Sequence, residues 1–350
     1  MIKKHLLLYF FLLPFFVFAE IPSGYYDSAY GKTTGTLRTA LYNIIKDHTV
    51  VSYDYLYTVY ETSDVTSSGY VWDMYSNCVW TPGEKKCGDY SNVCDCYNRE
   101  HSVPQSWFDK ASPMKSDAFH IYPTDGKVNN QRSNYPFGEC TGTTLTKGKG
   151  ELGTSTFSGY TGTVFEPADE YKGDFARSYF YMTTRYADVC TTWSNGAAVV
   201  FSSKNLGFTD YAVSLFLKWH RQDPVSAKEI TRNDAVYAYQ KNRNPFIDYP
   251  ELAEYIWGNK AGQSWSTSAI DEENAFVFSI YPNPCSEKVF VHCSETENVQ
   301  FLLYNLEQRL VRYGMVEDDY SIDVKGLFPG IYVLDLFVDG SSYKTKLVVK

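Results

Sequence analysis

The chain has 350 residues, with 32 Lys and Arg against 41 Asp and Glu and a formal net charge of −9. That balance excludes a broad basic face making many phosphate contacts, although a local cationic patch stays open. The length suits two domains, with a third as the upper bound, and eight cysteines point to an oxidising compartment.

The N-terminus is basic over Met1–His5 and almost unbrokenly apolar over Leu6–Phe18, and Val17-Phe18-Ala19 fits a small-residue cleavage site. Residues 1–19 read as an export signal, with the mature chain starting at Glu20. The apolar run is too short for a bilayer and no later stretch is apolar enough, so no stable membrane span is expected.

A first helix is predicted over Thr34 to His48, with Leu37, Leu41, Ile44 and Ile45 on one face. Cys78, Cys87, Cys94 and Cys96 then crowd into a loop region, and Cys140 lies beyond it. Cys94 and Cys96 lack the spacing and the second ligand pair of a structural zinc site, so a disulfide clasp is expected.

The candidate site is the stretch from Asn98 to Phe137. It holds His101 and His120, the asparagines Asn98, Asn129, Asn130 and Asn134, and the carboxylates of Glu100, Asp109, Asp117 and Asp125. So many polar side chains do little for a core, because burial costs free energy wherever a partner is missing. Glu100 and His101 are adjacent, so on a regular strand they would point to opposite faces. To act together they must sit at a strand end or bend, which Pro104 favours. An imidazole placed there can take a proton from water near neutral pH. A carboxylate and an amide oxygen suit a hard divalent cation such as Mg²⁺. His101 as base, with Glu100 and Asn129 as ligands, would make a minimal hydrolase for a nucleic-acid backbone. Spacing alone leaves a structural polar network as the alternative. Arg99, Lys127, Arg132, Lys147 and Lys149 could supply the local cationic patch.

Residues 142–162, rich in Gly, Thr and Ser, read as loops and short strands. Helices are predicted over Asp169–Tyr186, with Phe175, Tyr179, Met182 and Tyr186 on one face, and over Asp210–His220. A third opens on the capping box Ser226-Ala227-Lys228-Glu229 and runs toward Asn244-Pro245. His48 and His220 read as packing residues at helix ends. Residues 258–275 are polar and read as a linker between a domain over 20–257 and another over 276–350. In that last part Val289, Val291 and Cys293 alternate, as do Tyr332, Leu334, Leu336 and Val338, which predicts a small β-sandwich of about five to seven strands. On one extended strand Cys285 and Cys293 would lie ~26 Å apart, too far to bridge.

Longer motifs carry a resemblance. Asn98-Arg99-Glu100-His101-Ser102-x-Pro104-x-Ser106-Trp107-Phe108, His120-x-Tyr122-Pro123 and Gly126-x-Val128-Asn129-x-x-Arg132-Ser133-Asn134 resemble the bacterial endonuclease I family. The likeness continues through Gly173-Asp174-x-Ala176-Arg177, Asp223-Pro224-Val225-Ser226 and Asn242-Arg243-Asn244-Pro245, and spans roughly Tyr25 to Glu254. It implies an α+β fold: a ββα-metal (His-Me finger) nuclease domain, followed here by the small all-β sandwich. It implies a secreted, non-specific, Mg²⁺-dependent endonuclease acting on DNA, with RNA as a further substrate and Mn²⁺ accepted in place of Mg²⁺. His101 becomes the general base and Glu100 and Asn129 the metal ligands. Arg132, Asn134 and Arg177 become candidates for structural or phosphate contacts. Some relatives carry an arginine between the catalytic histidine and the metal-binding asparagine. Residues 102–128 contain none, so the phosphate contact falls to Arg99 or Arg132. His120 either orients the finger or packs.

The C-terminal part resembles a type IX secretion sorting domain through Tyr281-Pro282-Asn283-Pro284, Leu327-x-Pro329-Gly330-Ile331-Tyr332 and the closing Lys344-x-Lys346-Leu347-Val348-Val349-Lys350. This implies the type IX machinery as a partner, and release or surface attachment after passage through the periplasm. The competing reading is a non-catalytic surface protein that binds nucleic acid or carbohydrate on a nuclease-like fold.

Overall fold

In the computed structural model, residues 21–145, 148–266, 278–293, 299–305, 310–316, 319–338 and 341–350 are described. The expected export signal, Lys147 and the later part of the expected linker lie outside them. The chain divides after Thr267 into two units.

The first unit opens with α1 (Thr34–Ile45), where the N–H of Thr33 donates to Thr36 Oγ1 at 3.1 Å. Leu37, Leu41 and Ile45 bury the predicted face, but the helix stops short of His48. After α2 (Leu56–Ser63), a long loop carries the disulfides Cys78–Cys94 and Cys87–Cys96. The expected clasp is present, and all four of its cysteines are bridged. It fastens the segment that enters β1 (Tyr97–His101), which pairs antiparallel with β2 (Ile121–Asp125).

α3 (Gly126–Arg132) follows β2 directly. Asp125 caps it: Oδ1 accepts from the N–H groups of Lys127 and Val128, both at 2.8 Å, and Oδ2 accepts from the Cys94 N–H at 2.7 Å. One carboxylate thus satisfies the helix start and ties it to the clasp. Gly126 is required at this junction, because a Cβ there would collide with Cys87 Sγ. Next come β3 (Cys140–Thr144), β4 (Glu151–Ser155) and β5 (Thr163–Glu166), an antiparallel meander in the segment read as short strands.

α4 (Lys172–Arg185) departs from expectation. One apolar face was predicted, yet every residue of this helix is buried. Neighbouring elements surround it, so the charges of Lys172, Asp174 and Arg177 survive burial by pairing. Lys228 Nζ meets Asp174 Oδ1 at 2.7 Å, and Arg177 Nη2 donates to Glu229 Oε2 at 2.8 Å. The short hairpin β6 (Phe201–Ser202) and β7 (Gly207–Phe208) leads into α5 (Asp210–Gln222). α6 (Ala227–Gln240) opens on the predicted Ser226 and Glu229 capping box, but it ends where Lys241 turns left-handed. Asn244 caps α7 (Pro245–Asp248), and α8 (Leu252–Trp257) follows. Residues 258–266, polar enough to read as the start of a linker, pack back onto this unit. Trp265 is fully buried, stacks on Tyr30 at 5.1 Å and exchanges backbone hydrogen bonds with Gly31 and Lys32. Burying one indole outweighs the polar composition around it.

The second unit contains β8 (Phe278–Tyr281), β9 (Lys288–Cys293), β10 (Gln300–Asn305), β11 (Leu310–Met315), β12 (Ser321–Asp323), β13 (Gly330–Val338) and β14 (Ser341–Val349). They form one sheet ordered β11-β10-β13-β14 and another ordered β12-β9-β8. The two sheets share a core of Val289, Val291, Leu303, Leu334, Leu336 and Leu347. Cys285 is a free thiol. No described helix is long and apolar enough to cross a membrane.

Candidate active site

β1 ends at His101, which is where the adjacency of Glu100 and His101 required an end. A cavity of about 470 Å³ lies there, and its lining includes Arg99, Glu100, His101, Asn129, Arg132 and Asn134. One strand and one helix, β1 and α3, thus gather around one space residues drawn from the motifs that begin at Asn98 and Gly126. Of the expected site residues, His120 and Arg177 are missing from the lining, as are Lys127 and Lys149 of the expected cationic patch.

The His101 ring is buried, and its Nε2 lies 3.1 Å from the Lys115 carbonyl oxygen. A carbonyl only accepts, so Nε2 carries the proton and Nδ1 is the basic nitrogen. Burial holds the imidazole pKa well below its ordinary value, and the neighbouring His120 pushes the same way. The ring is therefore neutral. It stacks on Tyr53 at 5.6 Å, which with the Lys115 bond fixes its plane.

Glu100 is buried as well. Its Oε1 accepts from Tyr75 OH at 2.9 Å and meets Arg132 Nη1 at 3.0 Å, whereas Oε2 has no partner among the described residues. Burial raises this carboxyl to about 7, opposed by the charge of Arg132 and the Tyr75 hydrogen bond. A cation against Oε2 would restore the ionised form. Asn129, half-buried on α3, makes no side-chain hydrogen bond to the described residues. Among those residues no three His, Cys, Asp or Glu side chains are grouped to hold a metal. The residues that could hold a metal here offer one carboxylate oxygen and one amide oxygen, leaving the other positions to water. Such a set fits a hard cation that keeps most of its waters.

Arg132 is buried and turned inward. Its Nη1 donates to the His101 carbonyl at 3.0 Å and its Nη2 to the Ser102 carbonyl at 2.7 Å. With the Glu100 contact, these bonds fasten the end of α3 to the end of β1. Arg99 Nη1 donates to the Tyr53 carbonyl at 2.9 Å and to Asp54 Oδ1 at 2.8 Å, and its guanidinium lies 3.7 Å from the Tyr53 ring. Its Nη2 makes no hydrogen bond within the described residues. Asn134 is exposed at the rim. Arg177 is fully buried against Glu229 and lies outside the cavity lining.

His120 has no exposure, and its Nε2 donates to the Met114 carbonyl at 2.7 Å. Its ring lies 5.5 Å from that of His101, and burial lowers its pKa to about 4. Asp117 is committed elsewhere: Oδ2 accepts from Tyr181 OH at 2.9 Å and Tyr186 OH at 2.8 Å, and Oδ1 from Gln240 at 3.0 Å.

Sequence reasoning missed Tyr53, Tyr75, Lys110 and the Lys115 carbonyl. Tyr53 and Tyr75 lie far upstream with no motif around them, Lys110 is an ordinary surface lysine by composition, and a backbone carbonyl leaves no trace in side-chain identity.

An imidazole with one basic nitrogen, in one cavity with a carboxylate and an amide, is chemically able to support hydrolysis, and it lies in a mixed helix-and-sheet domain. The chain belongs to the endonuclease I family, which matches residues 33–251. A secretion system C-terminal sorting domain matches residues 279–350. An extracellular ribonuclease of Bacillus subtilis (strain 168) is 34% identical over 246 residues, covering 67% of this chain and 78% of that protein. The extracellular ribonuclease of Bacillus amyloliquefaciens is 35% identical with the same coverage. An extracellular deoxyribonuclease of Aeromonas hydrophila is 28% identical over 140 residues, covering 40% of this chain and 52% of that protein. The protein is a nuclease, secreted or held at the cell surface.

Proposed function

We propose that this nuclease cuts phosphodiester bonds within DNA and RNA, with His101 as general base and one divalent cation, Mg²⁺ or in its place Mn²⁺. β1, β2 and α3 are read as the His-Me finger. The observation that carries the reading is the tautomer of His101: Nε2–H is tied to the Lys115 carbonyl, so Nδ1 is the acceptor on a residue that shares its cavity with Glu100 and Asn129. RNA stands beside DNA because two relatives that each cover 67% of this chain are ribonucleases and another, covering 40%, is a deoxyribonuclease.

Glu100 and Asn129 would hold the cation, which supplies charge stabilisation to the phosphodiester and its leaving oxygen. His101 Nδ1 takes the proton from the attacking water. Arg132 positions both residues by holding the Glu100 carboxylate and the two carbonyls at the strand end. Arg99, whose Nη2 is uncommitted at the cavity wall, is the phosphate contact, and Asn134 meets the strand at the rim. His120 supports the His101 ring from behind. The C-terminal unit is the part the type IX machinery recognises.

Plasmid DNA and a long RNA, each incubated with the full-length protein with and without EDTA, test this directly. Internal cuts should appear in both substrates and vanish with EDTA. His101→Ala should lower the rate by about 10²- to 10⁴-fold with the melting temperature unchanged. Near-parental cutting by a folded His101→Ala protein overturns the assignment.

A further inference from the structure

We propose that a second cavity, of about 640 Å³, binds one nucleotide unit, with its phosphate on Arg185 and Lys46 and its base against Tyr42 and Trp193. The proposal rests on the nuclease reading for its class of ligand. This cavity shares no residue with the catalytic one, yet the segment 104–114 lines both. That segment gives Pro104, Gln105 and Lys110 to the first and Trp107, Phe108 and Met114 to the second.

Arg185 makes the case. It closes α4 and is only 9% exposed. Its Nε donates to His48 Nδ1 at 3.0 Å, and Asp117 is reached only through that imidazole, whose Nε2 lies 4.0 Å from Oδ2. Among the described residues no carboxylate pairs with Arg185, and Nη1 and Nη2 have no hydrogen-bond partner. The other deeply buried arginines are treated differently. Arg132, Arg177, Arg232 and Arg243 each meet a carboxylate at 3.0 Å or less. The Arg185 guanidinium, 4.6 Å from the Tyr186 ring, reaches the cavity with no carboxylate among the described residues paired to it, and its fork of donors matches a phosphate.

The walls fit the rest of a nucleotide. Lys46 is a second cation, its Nζ 5.5 Å from the Tyr42 ring. Trp193 is half-buried, braced by Phe201 at 4.8 Å and Phe108 at 5.5 Å. Braced aromatic rings next to a cation are what a base and its phosphate require. The rim is acidic: Asp47, Asp109 and Asp188 line the cavity and are exposed. They disfavour a bare polyanion and can accept from an exocyclic amino group, so guanine is preferred over uracil.

Calorimetric titration of guanosine 5′-monophosphate into the full-length His101→Ala protein in EDTA tests the site without any turnover. Saturable binding is expected, about tenfold tighter than inorganic phosphate or uridine 5′-monophosphate. Lys46→Ala and Trp193→Leu, both at partly exposed positions, should each weaken it by about tenfold. A short single-stranded oligonucleotide that binds more tightly than the mononucleotide, and equally depends on Lys46, assigns the site to a strand of substrate. Equal affinity assigns it to free nucleotides. Absence of binding, or binding indifferent to both substitutions, overturns the proposal. Because no cleavage is measured, failure here leaves the digestion result untouched, and the reverse also holds.

Discussion

Glu100 and Asn129 reach the same cavity from a strand and a helix, and their chemistry differs in a way that can be titrated. Glu100→Gln keeps the shape and removes the charge. It should raise the Mg²⁺ concentration for half-maximal activity by at least the roughly tenfold that disturbing the surroundings of a metal ligand costs. Arg132 then faces an amide in place of a carboxylate, so unfolding curves must accompany the titration. Asn129→Asp adds a charge at the second ligand and should recover part of the affinity in the double variant. If all three variants respond to Mg²⁺ as the parent does, these residues are not the ligands. Asp117 and Asp125 offer no easy substitute, because each is already engaged by several donors of the fold.

Two elements carry stability that the site depends on. The clasp pins the entry to β1, and its loops close over sequence separations of 16 and 9 residues. Cross-links over loops of this size stabilise by about 3 kcal/mol through the unfolded chain. The Cys78→Ser, Cys94→Ser pair should lower the melting temperature accordingly and speed hydrogen exchange over Tyr97–His101. Unchanged exchange there would show that β1 holds its place without the clasp. α5 packs His220 against α4, where Arg177 Nη1 donates to its Nδ1 at 3.3 Å. Burial first, and then the charge of Arg177, lowers this imidazole to about 4. The unfolded chain takes the proton near pH 6.5 and the folded chain only near pH 4, so stability falls as pH drops through that window. At pH 5 the loss from this group is about 2 kcal/mol. Denaturant melts at pH 7 and pH 5 should show that much less loss in His220→Gln than in the parent. Equal losses would mean that the ring is not held neutral.

At the scale of the whole molecule, each unit has its own buried core. All the candidate catalytic residues belong to the first unit, and the sorting domain spans residues 279–350. A chain ending at Thr267 should therefore cut DNA and RNA at the parental rate when purified, yet remain behind the outer membrane in cells. Lost activity in the purified, folded truncation would instead give the C-terminal unit a part in substrate binding.

The motifs around Glu100, His101 and Asn129, the capping box at Ser226, the crowding of four cysteines and the period-two strands near the C-terminus were all legible in the sequence, because each depends on local spacing or on residue type. What a side chain meets across the fold was not. Arg132 reads equally as a structural or a phosphate contact, and nothing in the sequence shows that its donors lie on the carbonyls of His101 and Ser102. α4 reads as amphipathic until the elements packed around it, and the ion pairs with α6, bury every face. Trp265 sits among linker residues until it docks on Tyr30. The tautomer of His101 depends on a backbone carbonyl contributed by Lys115. Local propensity and chemistry follow residue type and order along the chain, whereas burial, pairing and proton position depend on neighbours distant in sequence, so only the tertiary structure decides them.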